Sequence, residues 1–250
     1  MTDGVGLPIF REISIVSCSI LIQTAVGKME QNVQTELVSS SQQSIYIVDD
    51  DEGARESIRA MLEPLGCRCI TFESGEDFLA GLGDGRYAYG CAVIDLRLKG
   101  ISGLVVLQAL VDSKSCISPL LVTAFADVKL VVEAISKGAA TVIPKPYRDQ
   151  DLWDAVSAGL VTSQTRLAEK LRQDELLERF ERLTSSEKQV LSFLIRGEAN
   201  KQIALACDIS TRTVDIRRAS VLKKMGAKSA VELSWTLAKS GIDIFNGGPF

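Results

Sequence analysis

Between Ser44 and Leu160 short apolar runs alternate with longer stretches in which apolar residues recur every three or four positions. The runs Ile45–Val48, Arg68–Thr71, Ala92–Ile94, Leu120–Val122 and Ala140–Ile143 are too short for buried helices and are rich in residues that suit a pleated surface, so they read as strands. Helical periodicity covers Ala54–Leu65, Gly75–Leu82, Gly103–Leu110, Val128–Lys137 and Asp151–Leu160. Strict strand and helix alternation predicts an α/β doubly wound, five-stranded parallel sheet with crossover helices, within residues 44–162. Such a sheet receives its ligand at the carboxyl ends of the strands, where the strand order reverses.

The pattern then changes. Residues 163–182 are rich in Glu, Arg, Lys and Leu without proline or glycine, which predicts a helical linker. Leu167, Leu171 and Phe180 can form an apolar seam on it, leaving open a coiled-coil contact between two copies or a simple solvated connector. At Thr184, with Glu187 three residues on, a capping box opens a separate all-α four-helix unit over 183–241. Gly197 ends its first helix, Lys201–Cys207 is the second, Ser210 caps a third that Gly226 terminates after Met225, and Ala230–Lys239 is the last. Residues 242–250 form a tail.

Composition adds a division of labour. The net charge of −4 hides fourteen acids against ten bases over 43–147 and five acids against ten bases over 183–241. A basic helical unit favours a polyanion as ligand. Histidine is absent, which removes imidazole acid/base chemistry, and the six cysteines (Cys18, Cys67, Cys69, Cys91, Cys116 and Cys207) show no zinc or redox spacing and read as reduced core fillers. The apolar stretch Ile13–Val26 is interrupted by Ser17, Ser19, Gln23 and Thr24 and is too short for a membrane span. Residues 1–43 read as an unstructured or mis-started extension, with Met29 as an alternative start.

The candidate chemistry lies at strand ends. Asp49, Asp50 and Asp51 follow the first strand and Asp95 closes the third. Carboxylates gathered at one sheet edge repel each other unless a cation sits among them, and a hard oxygen-seeking ion, Mg²⁺ above all, suits them. Thr123 ends the fourth strand and Lys145 follows the fifth; a hydroxyl and an ammonium are the groups that phosphoryl oxygens require. Pro146 is compatible with a rigid turn, including a cis peptide, that aims Lys145 inward.

These four elements in order resemble the receiver domain of two-component response regulators. The resemblance implies the sheet order 2-1-3-4-5, with Asp95 as phosphoacceptor and Thr123 and Lys145 as phosphoryl-binding groups. It further implies that Mg²⁺ is held by Asp50 directly, by Asp49 through water, by Asp95 and by the backbone carbonyl of Arg97. Asp51 has a plainer reading at the turn into the first helix. Two departures stand out: Lys99 where such receivers commonly carry proline, and Val142 where they carry the aromatic residue that swings inward on activation.

The C-terminal segments Leu183–Leu191, Ala199–Ala204 and Ile209–Val214 resemble the LuxR-type helix-turn-helix, and with the receiver point to the FixJ or NarL type of regulator. Independently of that likeness, Val214, Val221 and Met225 form a buried stripe on the third helix and leave Arg212, Asp215, Ile216, Ala219 and Lys223 on the opposite, DNA-facing side. Thr213 and Lys201 are placed to hold phosphates. Arg218 falls on the buried stripe as a packing or snorkelling residue, and Asp215 either accepts from a cytosine amino group or excludes other bases.

The resulting expectation is a cytoplasmic, phosphorylation-dependent transcriptional regulator, not an enzyme beyond its own phosphotransfer and slow dephosphorylation. Its expected partners are a sensor histidine kinase, DNA, a second copy of itself on phosphorylation, and RNA polymerase as a further candidate, with no membrane. Two alternatives compete with it: a constitutive receiver serving only dimerisation or ligand binding, and a hydrolase with Asp95 as nucleophile, which lacks an acid partner and leaves the basic domain unexplained.

Overall fold

A computed structural model describes residues 44–83, 87–124 and 128–242, and the expectations for the N-terminal extension and for residues 243–250 lie outside it. The strands are β1 (Ser44–Val48), β2 (Arg68–Phe72), β3 (Gly90–Asp95), β4 (Ser118–Thr123) and β5 (Thr141–Pro144). They form one parallel sheet in the order β2-β1-β3-β4-β5, as expected from the receiver likeness. The order reverses at β1 and β3, which places the switch point between the strands that carry Asp49 and Asp95.

Side chains alternate across the sheet. Tyr46, Val48, Ala92, Ile94 and Leu121 enter one core, while Ile45, Ile47, Cys91, Val93, Leu120 and Val122 enter the other. The first core is closed by α2 (Gly75–Gly81), α3 (Gly103–Asp112) and α4 (Val128–Ser136), through Phe78, Val106, Leu107, Leu110 and Ala134. The second is closed by α1 (Glu52–Leu62) and α5 (Asp149–Glu181), through Ile58, Leu62, Leu152, Val156 and Leu160. With both faces covered, the strands read as continuous apolar runs.

Helix ends shift where capping outweighs periodicity. The Asp51 carboxylate accepts from the Gly53 N–H at 2.8 Å, so α1 opens at Glu52 rather than Ala54, and Pro64 turns its far end into a 3-10 turn over 63–65. The expected helix Asp151–Leu160 and the expected linker are one helix of 33 residues, α5, which passes through residue 162 without a break. Gly159 does not interrupt it: a Cβ there would lie 2.9 Å from Cys91 Sγ, so the glycine lets the helix lie close against β3. Just beyond, the buried Ser163 hydroxyl accepts from the Gly90 N–H at 2.7 Å.

The apolar seam on α5 is split between its two ends. Leu167 is buried, and Phe180, together with Leu176, packs into a third core formed with α6 (Ser185–Ile195), α7 (Asn200–Ala206), α8 (Thr211–Met225) and α9 (Ala230–Ser240). The end of α5 thus adds Leu176 and Phe180 to the core of the four-helix unit. Its caps follow the sequence reading, with the Thr184–Glu187 box, Ser210 capping α8, and Gly226 and Gly241 in left-handed conformation. Among the described residues, no helix is long and apolar enough to cross a membrane.

Candidate functional site

The turn after β1 and the end of β3 converge as the switch point requires. Ligand oxygens of Asp49, Asp50 and Asp95 lie within 4.8 Å of one another. Asp49 is buried; one of its oxygens accepts from the Asp51 N–H at 2.9 Å and the other from Lys145 Nζ at 2.8 Å. The same ammonium donates to Asp95 Oδ1 at 3.1 Å, while Asp95 Oδ2 accepts from the Arg97 N–H at 3.0 Å. Lys145 thus bridges the two inner carboxylates.

Electrostatics follow from burial and these contacts. Burial pushes the Asp95 carboxyl above its usual value, a rise that the hydrogen bond and charge of Lys145 reduce but do not cancel. Burial alone would lower the Lys145 ammonium, yet hydrogen bonds and charges from Asp49 and Asp95 outweigh it and raise the net value. The lysine therefore stays protonated at neutral pH. A compact set of hard carboxylate oxygens suits a divalent cation, so the residues present fit the expected metal.

Neighbouring elements hold this arrangement. Thr123 ends β4 and is buried, and its carbonyl accepts from the Lys145 N–H at 2.7 Å, joining the ends of β4 and β5; the Lys145–Pro146 peptide is cis. Gly103 opens α3 directly over the end of β3, where a Cβ would come 2.4 Å from the Asp95 carbonyl oxygen. Val142 lies in β5 beside Leu121 and packs, half-buried, into the core that holds Ala134 of α4.

Two contributors escaped the sequence reading. Arg55 is buried in α1 and donates to the Asp49 carbonyl at 2.7 Å, bracing the acidic turn from beneath. Its signal was present, because Arg55 shares one helical face with Ile58 and Leu62, and a charge within an apolar stripe needs a buried partner. Lys99 pairs with Asp50 at 3.1 Å, a contact across a loop that no periodicity reveals.

In the C-terminal unit, Val214, Val221 and Met225 are buried, whereas Lys201, Arg212, Asp215, Ile216, Ala219 and Lys223 are exposed and Thr213 is half-buried. Ile216 is 62% exposed, an apolar side chain held in water on the face opposite the core. Thr213 Oγ1 shares a 2.8 Å hydrogen bond with Ser210 Oγ at the helix cap. Asn200 of α7, unnoticed in the sequence, donates to Asp215 Oδ1 at 2.6 Å and accepts from Arg218 at 3.1 Å. Arg218 is therefore more than a packing residue, since it is fixed through Asn200 to the acid expected to face DNA.

A family model of the response regulator receiver domain matches residues 45–157, and one of bacterial regulatory proteins of the luxR family matches residues 181–236. Transcriptional regulatory protein FixJ of Azorhizobium caulinodans is 38% identical over 190 residues, covering 76% of this chain and 89% of its own length. The chain belongs to the two-component response regulators. This regulator also resembles transcriptional regulatory protein TdiR of Thauera aromatica, at 32% identity over 190 residues, 76% of the chain and 83% of TdiR. The solved structure of response regulator StyR matches 80% of the regulator and 100% of its own chain, with 33% identity and a TM-score of 0.69. The fold is thus a receiver with a LuxR-type DNA-binding domain, joined here by α5.

Proposed function

We propose that the regulator takes a phosphoryl group on Asp95 from the phosphohistidine of a sensor kinase and thereby changes its binding to DNA. The observation that carries this reading is the Lys145 ammonium held between Asp49 and Asp95 at the end of the sheet. An Asp95 carboxylate oxygen forms the new O–P bond as the donor P–N bond breaks, and the electron pair stays with the donor nitrogen. The Lys145 ammonium and the Thr123 hydroxyl then meet the phosphoryl oxygens. Asp49, Asp50, Asp95 and the Arg97 carbonyl would hold Mg²⁺, which screens the incoming anion from the carboxylates.

The division that accompanies this reading is an extension over 1–43, a receiver over 44–162, a linker over 163–182, a DNA-binding unit over 183–241 and a tail over 242–250. Ile216, Ala219, Asp215 and Arg212 would face base edges, while Lys201, Thr213 and Lys223 hold the backbone, a reading supported by the exposure of all of them except the half-buried Thr213. Phosphorylation would pair two copies so that two recognition helices read two half-sites, in the cytoplasm and beside RNA polymerase. Catalysis would be confined to the regulator's own phosphotransfer and slow dephosphorylation.

The test is intact-mass labelling with acetyl phosphate and Mg²⁺, alongside sedimentation and binding to DNA selected from a random pool. The wild type gains one phosphoryl group, more dimer and tighter DNA binding, while Asp95→Asn gains none of the three. Labelling of Asp95→Asn, or DNA binding that is indifferent to labelling of the wild type, would overturn the reading. DNA affinity should also fall steeply with salt.

A further inference from the structure

The two lysines at the acidic turn are held differently. Lys145 is only 27% exposed, contacts both inner carboxylates, and is tied by its backbone to Thr123. Lys99, in the loop between β3 and α3, is 83% exposed and pairs with Asp50, the outermost carboxylate, at 3.1 Å. Every acid of the cluster therefore has an ammonium beside it, but only the one on Asp50 approaches from solvent on a flexible stem.

We propose that Lys99 is a tethered counter-ion that competes with the divalent cation for Asp50, weakening Mg²⁺ binding and so raising the Mg²⁺ concentration at which the receiver becomes competent. The inference rests on the metal reading above. Because Lys99 is carried on the same turn as Arg97, its ammonium is present at high effective concentration whatever the salt outside. Displacing it is cheap, since a long exposed side chain returns to water without unpaired groups. Its influence is accordingly modest and screened by salt, as for other exposed pairs.

Amide chemical-shift titrations of the full chain with MgCl₂ test this without any phosphorylation readout. Lys99→Gln and Lys99→Ala should bind Mg²⁺ about threefold more tightly than wild type at low ionic strength, with the ratio approaching unity near 1 M salt, where the Debye length is about 3 Å. Lys99→Arg, which keeps the charge, should match wild type. Equal affinities for wild type and Lys99→Gln, or Lys99→Arg binding as tightly as Lys99→Gln, overturn the role of Lys99 alone. Absence of saturable shifts around Asp50 in every variant, or their persistence in Asp50→Asn, overturns the metal reading instead.

Discussion

Glu187 ties the recognition helix to the rest of the DNA-binding domain, and its removal has a magnitude that can be worked from the structure. The carboxylate is buried and accepts from the Thr184 N–H at 2.7 Å, Thr184 Oγ1 at 3.0 Å, Ser220 Oγ at 2.6 Å and Lys224 Nζ at 2.7 Å. The capping box is worth about 1 kcal/mol. Hydrogen bonds to a charged group add about 1.5–3 kcal/mol, taken at the low end because Lys224 is 35% exposed. Glu187→Ala should therefore cost roughly 3 kcal/mol, whereas Glu187→Gln, which keeps shape and box, should cost about 1 kcal/mol. Burial would raise this carboxyl, but the bonds from Lys224, Ser220 and Thr184 outweigh it and hold it at about 2, below the usual 4.5. A depressed acid stabilises the fold fully above the usual value, and that stability is lost as pH falls through the depressed one. Urea unfolding followed by Trp235 fluorescence, in a Trp153→Phe background, should show the gap between wild type and Glu187→Gln closing as pH drops from 4.5 towards 2. A gap that does not change with pH, or a loss under about 0.5 kcal/mol in Glu187→Ala, would refute the reasoning.

Two further substitutions probe the two ends of the molecule. Gly103→Ala places a Cβ 2.4 Å from the Asp95 carbonyl oxygen and 3.0 Å from Leu96 Cα. Backbone on that side cannot yield, so α3 must move, at about 2 kcal/mol, and acetyl phosphate labelling should slow; wild-type melting and labelling together would contradict this. Asn200→Ala releases Asp215 and Arg218 from each other. Competition binding should show relaxed discrimination, on the order of fivefold at one base pair, with an unchanged salt slope because no phosphate-facing cation is lost; equal loss on all DNA sequences would exclude it.

How far the sequence could be read depended on whether a feature was periodic. Strands buried on both faces leave apolar runs too short for helices, so Ile45–Val48 and Leu120–Val122 announced themselves, and acids directly after such runs had to converge at the sheet edge. Caps were legible because Thr184 and Glu187 satisfy a local geometric rule. Contacts made by long polar side chains across loops or between helices, such as Lys99 to Asp50 and Asn200 to Asp215, obey no spacing and stayed hidden. Both halves of α5 were readable as helix, but the core that Leu176 joins is chosen by tertiary packing.

The absence of an aromatic at Val142 bears on how Asp95 can reach the output domain. A valine is stiff about χ1, and this one is already packed against the core beside Leu121, so no ring is available to swing inward. Lys145 stands at a point where several contacts meet. Its ammonium is shared between Asp49 and Asp95, its N–H is bound to the Thr123 carbonyl, and Tyr147, two residues later, packs into the core that α5 closes. A phosphoryl group on Asp95 would draw that ammonium from Asp49 and load the turn that leads directly into Asp149, where α5 begins. From there the same unbroken helix runs past Ser163, pinned to Gly90, to Leu176 and Phe180 in the core of the DNA-binding domain. A shift at the first turn of α5 would therefore have a single element along which to reach the far end, with the Ser163 contact to Gly90 as the point that resists it.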